Sequence, residues 1–144
     1  SWDDVSFIRD TTALPLIIKG PLTPDVAERA VKSGAAGIQV SNHGGRQLDG
    51  VPAPITVLPE IAKAVGGQVP IILDSGIRRV TDVFKSLALG ASAVALGRPV
   101  LYGLALGGAE GVTSVFGRIR AELERAMLIA GAASVKEVDK ELLA

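Results

Sequence analysis

Leu14-Pro-Leu-Ile-Ile-Lys19 and Val69-Pro-Ile-Ile-Leu-Asp74 are two versions of one phrase, an apolar run with proline in second place and a charged side chain at its end. Two shorter runs, Ala36-Gly-Ile-Gln-Val-Ser41 and Ser92-Ala-Val-Ala-Leu96, follow them at matching distances. Pro15 and Pro70 lie 55 residues apart, and Gly34 and Gly90 lie 56 apart, so one strand–helix–strand–helix unit occurs twice. None of the four runs alternates polar with apolar, which is how strands covered on both faces of a parallel sheet read.

Helical patterns fill the gaps. Thr23-Pro24-Asp25 supplies an N-cap, a proline at the first helical position and an early acid, and Gly34 closes the stripe of Val26, Ala27, Ala30 and Val31. Pro54 to Val65 is a second helix stopped by Gly66-Gly67, and Thr81 to Leu89 a third stopped by Gly90. A longer helix covers Glu110 to Ile129, a turn or two sits within Ser134 to Leu143, and Ser1 to Asp10 leads into the first strand. Strand and helix in regular alternation predict an α/β fold with a parallel sheet and crossover helices. A doubly wound open sheet fits that order, but no glycine-rich dinucleotide fingerprint follows the first strand. A TIM (β/α)8 barrel places eight strands in about 250 residues. Four strands in 144 residues make one unit, residues 1–144, of half that size.

Composition removes several classes of function. Apolar residues make up 48% of the chain and aromatics 3%, too apolar for a disordered segment and too few rings for a base-stacking platform. Fifteen basic and fifteen acidic residues cancel, leaving no net field toward phosphate backbones or an anionic bilayer. The chain has no cysteine and one histidine, which excludes thiolate chemistry and argues against a multi-histidine zinc site. No apolar run approaches the ~18 residues of a spanning helix, so neither a nucleic acid nor a membrane is an expected partner, and no metal is expected. With no signal-peptide pattern at its start and no Ser-Lys-Leu at its end, the cytoplasm is the default location.

The polar residues gather where strands end. Those ends read Lys19-Gly20, Ser41-Asn-His-Gly-Gly-Arg46, Asp74-Ser-Gly-Ile-Arg78 and Gly97-Arg98, and barrels of this type do their chemistry at the C-terminal rim. Lys19 is either a rim lysine reaching water or a fixed cation facing an anion. His43 is either a structural histidine or a proton acceptor, and its neighbouring glycines let a ligand approach the backbone. Arg46, three residues on, has the planar fork that grips a carboxylate through two parallel bonds. Gly76, Gly97 and Arg98 suit a phosphate held by backbone N–H groups and a guanidinium, unless Arg98 is an ion-paired rim residue. Arg78 and Arg79 are adjacent, so one of them at most faces the rim. Arg118, Arg120, Glu122, Glu124 and Arg125 read as a solvated helix face, and Trp2 as packing.

Those four clusters, with Ser-Asn-His-Gly-Gly-Arg-Gln as the most specific, closely resemble the C-terminal half of the FMN-dependent α-hydroxy acid oxidases and dehydrogenases. The resemblance runs from about Trp2 to Ala130 and more loosely beyond. It implies strands five to eight of the barrel and FMN as cofactor, with oxidation of a small 2-hydroxy acid to the 2-oxo acid. It further implies Lys19 against the N1–C2=O edge of the flavin, Ser41 hydrogen-bonded to the flavin, and Asp74 on the ribityl hydroxyls. The backbone from Ser75 through Gly76 and Ile77 to Arg78 would wrap the ribityl phosphate arm, and Gly97 with Arg98 would bind the phosphate. His43 would be the base and Arg46 the carboxylate clamp.

The family's first four strands lie outside this sequence, with a tyrosine near the substrate and the aspartate that orients the histidine. The expected partners are therefore the 2-hydroxy acid, the N-terminal half-barrel on the same or a separate chain, and further copies of the protein, a tetramer by resemblance. Two rival readings remain at this stage: a non-catalytic half-barrel that self-associates or pairs with its other half, and another FMN- or phosphate-binding barrel enzyme.

Overall fold

Proline decides where the first strand begins. Pro15 has no N–H for a ladder, and in the computed structural model, which describes residues 1–143, strand β1 spans only Ile17–Lys19, with Leu14 left 75% exposed ahead of it. The chain continues α2 (Pro24–Lys32), β2 (Gly37–Val40), α3 (Pro54–Val65), β3 (Ile71–Leu73), α4 (Val80–Ala88), β4 (Ala93–Val94) and α5 (Arg98–Ala130), and α1 (Trp2–Thr11) precedes β1. Short 3-10 turns lie at His43–Gly45, Val135–Glu137 and Lys140–Leu143. Thr23 caps α2 through its hydroxyl, with Pro24 in the first turn, and Gly66 closes α3 at φ 58. Trp2 packs at the edge of the core, with the Arg29 guanidinium 4.7 Å from the centre of its ring.

The four strands are parallel and ordered β1-β2-β3-β4. Ile38 pairs with Ile71 and Val40 with Leu73, and these four are at most 4% exposed. Together with Leu58, Ile61 and Val65 of α3, Ala27 and Ala30 of α2, and Val83, Phe84 and Leu87 of α4, they form the core. Each large side chain fully buried there is worth about 1.5–3 kcal/mol.

The opposite face differs from the sequence expectation of strands covered on both sides. Lys19 pairs with Gln39, Gln39 with Ile72 and Ile72 with Ala93, and this row is partly or fully exposed. Helices cover one face of the sheet, and the other, which carries the row Lys19, Gln39, Ile72 and Ala93, is open. The strands read as unbroken apolar runs because Ile17 and Ile72 stand on the open face too.

Helix α5 departs most from expectation, starting at Arg98 and not near Glu110. It has 33 residues and a mean hydropathy of 1.2 over an 18-residue window, so length and composition alone would let it cross a bilayer, which the sequence reading did not anticipate. Its path does not suit a span. Gly107 and Gly108 have non-helical torsions, and a Cβ on Gly103 would sit 2.6 Å from the Gly111 carbonyl oxygen. Residues eight apart in a straight helix are separated by about 12 Å, so the chain folds sharply at the glycine pair. Beyond it, Arg118 pairs with Glu122 and Arg120 with Glu124 on an exposed face, as the charge pattern implies.

Candidate active site

Register brings the polar residues together. Lys19 ends β1 beside Gln39 of β2, and Ser41 and Asp74 follow the next strands, so four side chains from three neighbouring segments converge. The Lys19 ammonium lies 3.0 Å from Ser41 Oγ and 3.4 Å from Asp74 Oδ2. Asp74 Oδ1 accepts from the Ser41 hydroxyl at 2.5 Å and the Ser75 hydroxyl at 2.6 Å, and Oδ2 accepts from Gln39 Nε2 at 2.5 Å. Burial alone would raise the Asp74 carboxyl above its ordinary range. The hydrogen bonds from Ser41, Ser75 and Gln39, with the charge of Lys19, outweigh it and hold the group below that range.

A carboxyl depressed in the folded state contributes stability that is present above its unfolded value, about 3.9, and is lost as pH falls through the lower folded value. Between pH 5 and 3 the wild type is therefore expected to lose more stability than Asp74→Asn, measured by urea unfolding across that interval. Parallel pH curves for the two proteins would show that Asp74 has no such linkage.

The loop after β2 is built on strain that its hydrogen bonds sustain. His43 has φ 58 and Ser75 φ 71, the two positive values outside glycine among the described residues. Left-handed torsions cost non-glycine residues of order 1–3 kcal/mol, and they persist where the surroundings over-determine them. Here the His43 N–H donates to Ser41 Oγ, and the Gly44 N–H is shared between Asn42 Oδ1 and Ser75 Oγ at 3.0 and 3.1 Å. Arg98 Nη2 donates to the Gly44 carbonyl at 2.7 Å, tying the start of α5 to the same loop. A Cβ at Gly20 would lie 3.6 Å from His43 Cε1, so the imidazole sits against the turn after β1.

These segments surround a cleft of about 520 Å³, lined by Lys19, His43, Arg46, Asp74, Arg78 and Arg98 among others. Four cationic side chains, Lys19, Arg46, Arg78 and Arg98, share its lining with one carboxylate that already has its partners. The Gly76 and Gly97 N–H groups have no partner among the described residues, and a Cβ at either would meet nothing within 4 Å. Gly97 caps α5 without a side-chain bond, leaving the positive end of the helix bare beside Arg98. Such a donor set fits a phosphate monoester on a hydroxylated chain, with Asp74 to meet hydroxyls and Arg46 left for a second, smaller anion.

The sequence profile of the FMN-dependent dehydrogenases matches residues 1–144. This chain belongs to that family. A 2-hydroxyacid oxidase 1 of Mus musculus is 53% identical over 143 residues, 99% of this chain and 39% of the relative. An L-lactate oxidase of Lentilactobacillus hilgardii is 57% identical over 136 residues, 94% of this chain and 37% of that protein. The crystal structure of a lactate oxidase from Pediococcus acidilactici superposes with a TM-score of 0.94 at 59% identity, covering 97% of this chain and 39% of the other. The chain thus spans about two-fifths of the length of these relatives, as the C-terminal half of a TIM barrel, four βα units, and its family's cofactor is FMN.

Ten of the residues that the family resemblance marks in the sequence line the one cleft: Lys19, His43, Arg46, Asp74, Ser75, Gly76, Ile77, Arg78, Gly97 and Arg98. Ser41 does not. It is 1% exposed, its one hydroxyl hydrogen goes to Asp74, and it accepts from Lys19 and His43, so its side chain supports those residues. Ile77 is 6% exposed, and its side chain belongs to the core. Arg78 lines the cleft, whereas Arg79 precedes α4, where Asp82 Oδ2 accepts the backbone N–H of both. Gln39, Gln47 and Leu101 were not picked out as site residues. For Gln39 the signal was present: it is the one polar side chain inside the apolar run Gly37-Ile-Gln-Val40.

Proposed function

We propose that the complete protein oxidises a small (S)-2-hydroxy acid to the 2-oxo acid, and that this segment holds both cofactor and substrate. The observation that carries the reading is the cleft that joins the chain's only histidine and Arg46 to a phosphate-type cradle. FMN, when bound, supplies the acceptor for the two electrons and the second proton that leave the substrate, to be passed on to oxygen or another acceptor.

The residues divide the remaining work. Gly76, Arg78, Gly97 and Arg98 would hold the phosphate, and Asp74 the ribityl hydroxyls. Lys19 would place an ammonium where negative charge accumulates on the reduced ring. Arg46 would grip the substrate carboxylate with two parallel bonds, fixing the hydroxyl-bearing carbon toward His43. The His43 imidazole then takes one proton from the substrate, as imidazole is suited to do near neutral pH. The other half of the barrel would cover the open sheet face and the exposed ladder edges of β1 and β4. Leu101, Tyr102, Leu104 and Leu106 on α5, each more than half exposed, support assembly into a homo-oligomer, a tetramer in this reading.

Anaerobic mixing of the full-length, FMN-loaded protein with lactate, glycolate or mandelate tests the proposal. At least one is expected to bleach the flavin, and Arg46→Gln to raise the half-saturating concentration about a hundredfold. A flavin that no 2-hydroxy acid bleaches would refute the reading and favour another FMN-binding barrel enzyme.

A further inference from the structure

Asp74 is over-supplied with partners for a carboxylate that has only to meet a ligand. An ionised carboxylate offers about four lone-pair directions. Oδ1 takes two serine hydroxyls, from the ends of β2 and β3, and Oδ2 takes the Gln39 amide at 2.5 Å, with Lys19 Nζ at 3.4 Å. Ser41 and Ser75 are each committed to further bonds, with Lys19 and His43 in one case and Gly44 in the other. Gln39 differs: Asp74 is its one side-chain partner among the described residues, and it lines the cleft.

Gln39 is also mounted differently from Lys19. It stands within β2, between Lys19 on one neighbouring strand and Ile72 on the other. Lys19 reaches Oδ2 on a long side chain that is 40% exposed, and its distance is that of a loose ion pair. Two hydroxyls on Oδ1 leave the carboxylate free to swing about that atom. The short amide bond on Oδ2 removes the swing and thereby fixes where the Lys19 ammonium finds its counter-charge.

We propose that Gln39 is a positioning residue for the cofactor: it locks the Asp74 carboxylate and, through it, the Lys19 ammonium in the orientation that meets the ribityl chain and ring of FMN. The inference rests on the assignment of the cleft to FMN and deepens it. Hydrogen bonds to charged groups are worth about 1.5–3 kcal/mol, roughly a tenfold to hundredfold effect where they shape a binding site.

The test uses the complete protein with Gln39→Met, which keeps the length of the side chain and removes the donor. FMN binding, followed by flavin fluorescence, is expected to weaken about tenfold, and the flavin midpoint potential to become more negative as the ammonium loses its fixed place. Gln39→Glu serves as the second variant should Gln39→Met fail to fold. At neutral pH its carboxylate opposes Asp74, and its FMN affinity is expected to recover as the pair takes up a proton on acidification. Unchanged affinity and potential in Gln39→Met, with only a lower melting temperature, would overturn the proposal, as would a pH-independent affinity in Gln39→Glu. Wild-type protein that binds FMN but is bleached by no 2-hydroxy acid would instead sink the reaction proposed above and leave the role of Gln39 readable.

Discussion

Replacing His43 by asparagine in the complete, FMN-loaded protein is expected to slow anaerobic flavin reduction by a 2-hydroxy acid about 10²–10⁴-fold while the flavin stays bound. Asparagine is chosen for the backbone. Position 43 has φ 58, and asparagine tolerates the left-handed region far better than most side chains, so the substitution separates loss of the imidazole from collapse of the loop. The loop keeps its other supports, since the bonds from Gly44 N–H and Arg98 do not involve the imidazole. Stopped-flow absorbance of the flavin reads the rate, and the spectrum before mixing reports occupancy. A rate within a few-fold of wild type, with the flavin bound, would remove His43 from the chemistry.

The second large effect is structural and independent of any substrate. Gly111→Val is expected to abolish soluble, folded protein, because the Cβ would collide with the Gly103 carbonyl at the fold in α5. Overpacking in a well-packed region costs about 1–3 kcal/mol when neighbours can yield. Here the neighbour is backbone, held by its own helical hydrogen bonds, and yielding means opening the two arms of α5. The arm after the bend carries Ile119, Leu123, Ala126 and Met127 against the core, so parting the arms strips part of the cover from α4. Gly117→Val, at a position where a Cβ meets nothing within 4 Å, is the control expected to express normally apart from the cost of a β-branched residue in a helix. Soluble yield and circular dichroism of the two variants decide the matter. Equal yields would mean that the arms separate more readily than the geometry implies.

Much of this architecture could be read from residue order because parallel sheets with crossover helices leave a repeating mark. Glycine at the stop and an apolar stripe, with proline at the start of α2 and α3, located α2, α3 and α4 to within a residue or two. All four strands are shorter than the apolar runs that mark them, for a physical reason. Apolar residues such as Leu14 and Leu96 prolong the hydrophobic run, but nothing pairs with them once proline or the sheet edge ends the ladder. The first arm of α5 was missed because Leu101, Tyr102, Leu104 and Leu106 do not form one stripe, and Gly107-Gly108 looks like a loop. Those side chains are largely exposed, so no buried face imposes a helical period on them.

Residues that line the cleft were legible because strand ends with adjacent glycines stand out from apolar runs. Hydrogen-bond direction was not. Nothing in the order Ser41-Asn42-His43 tells that the serine turns inward to serve Lys19 and Asp74. Gln39 sat inside a strand and was passed over among Ile38 and Val40, although an uncapped amide in that setting needs a polar partner from across the sheet.

One bond in this arrangement has a wider meaning. A guanidinium carries five N–H donors on a rigid plane, and Arg98 spends one of its nitrogens on the Gly44 carbonyl, leaving the rest of the fork for an anion. In the proposed reading a single side chain would meet two tasks: holding the cofactor's charged tail and steadying the peptide that carries the imidazole. By reciprocity, whatever tightened one grip would be felt at the other, so the far end of the nucleotide would have a mechanical say in how the reacting end is set.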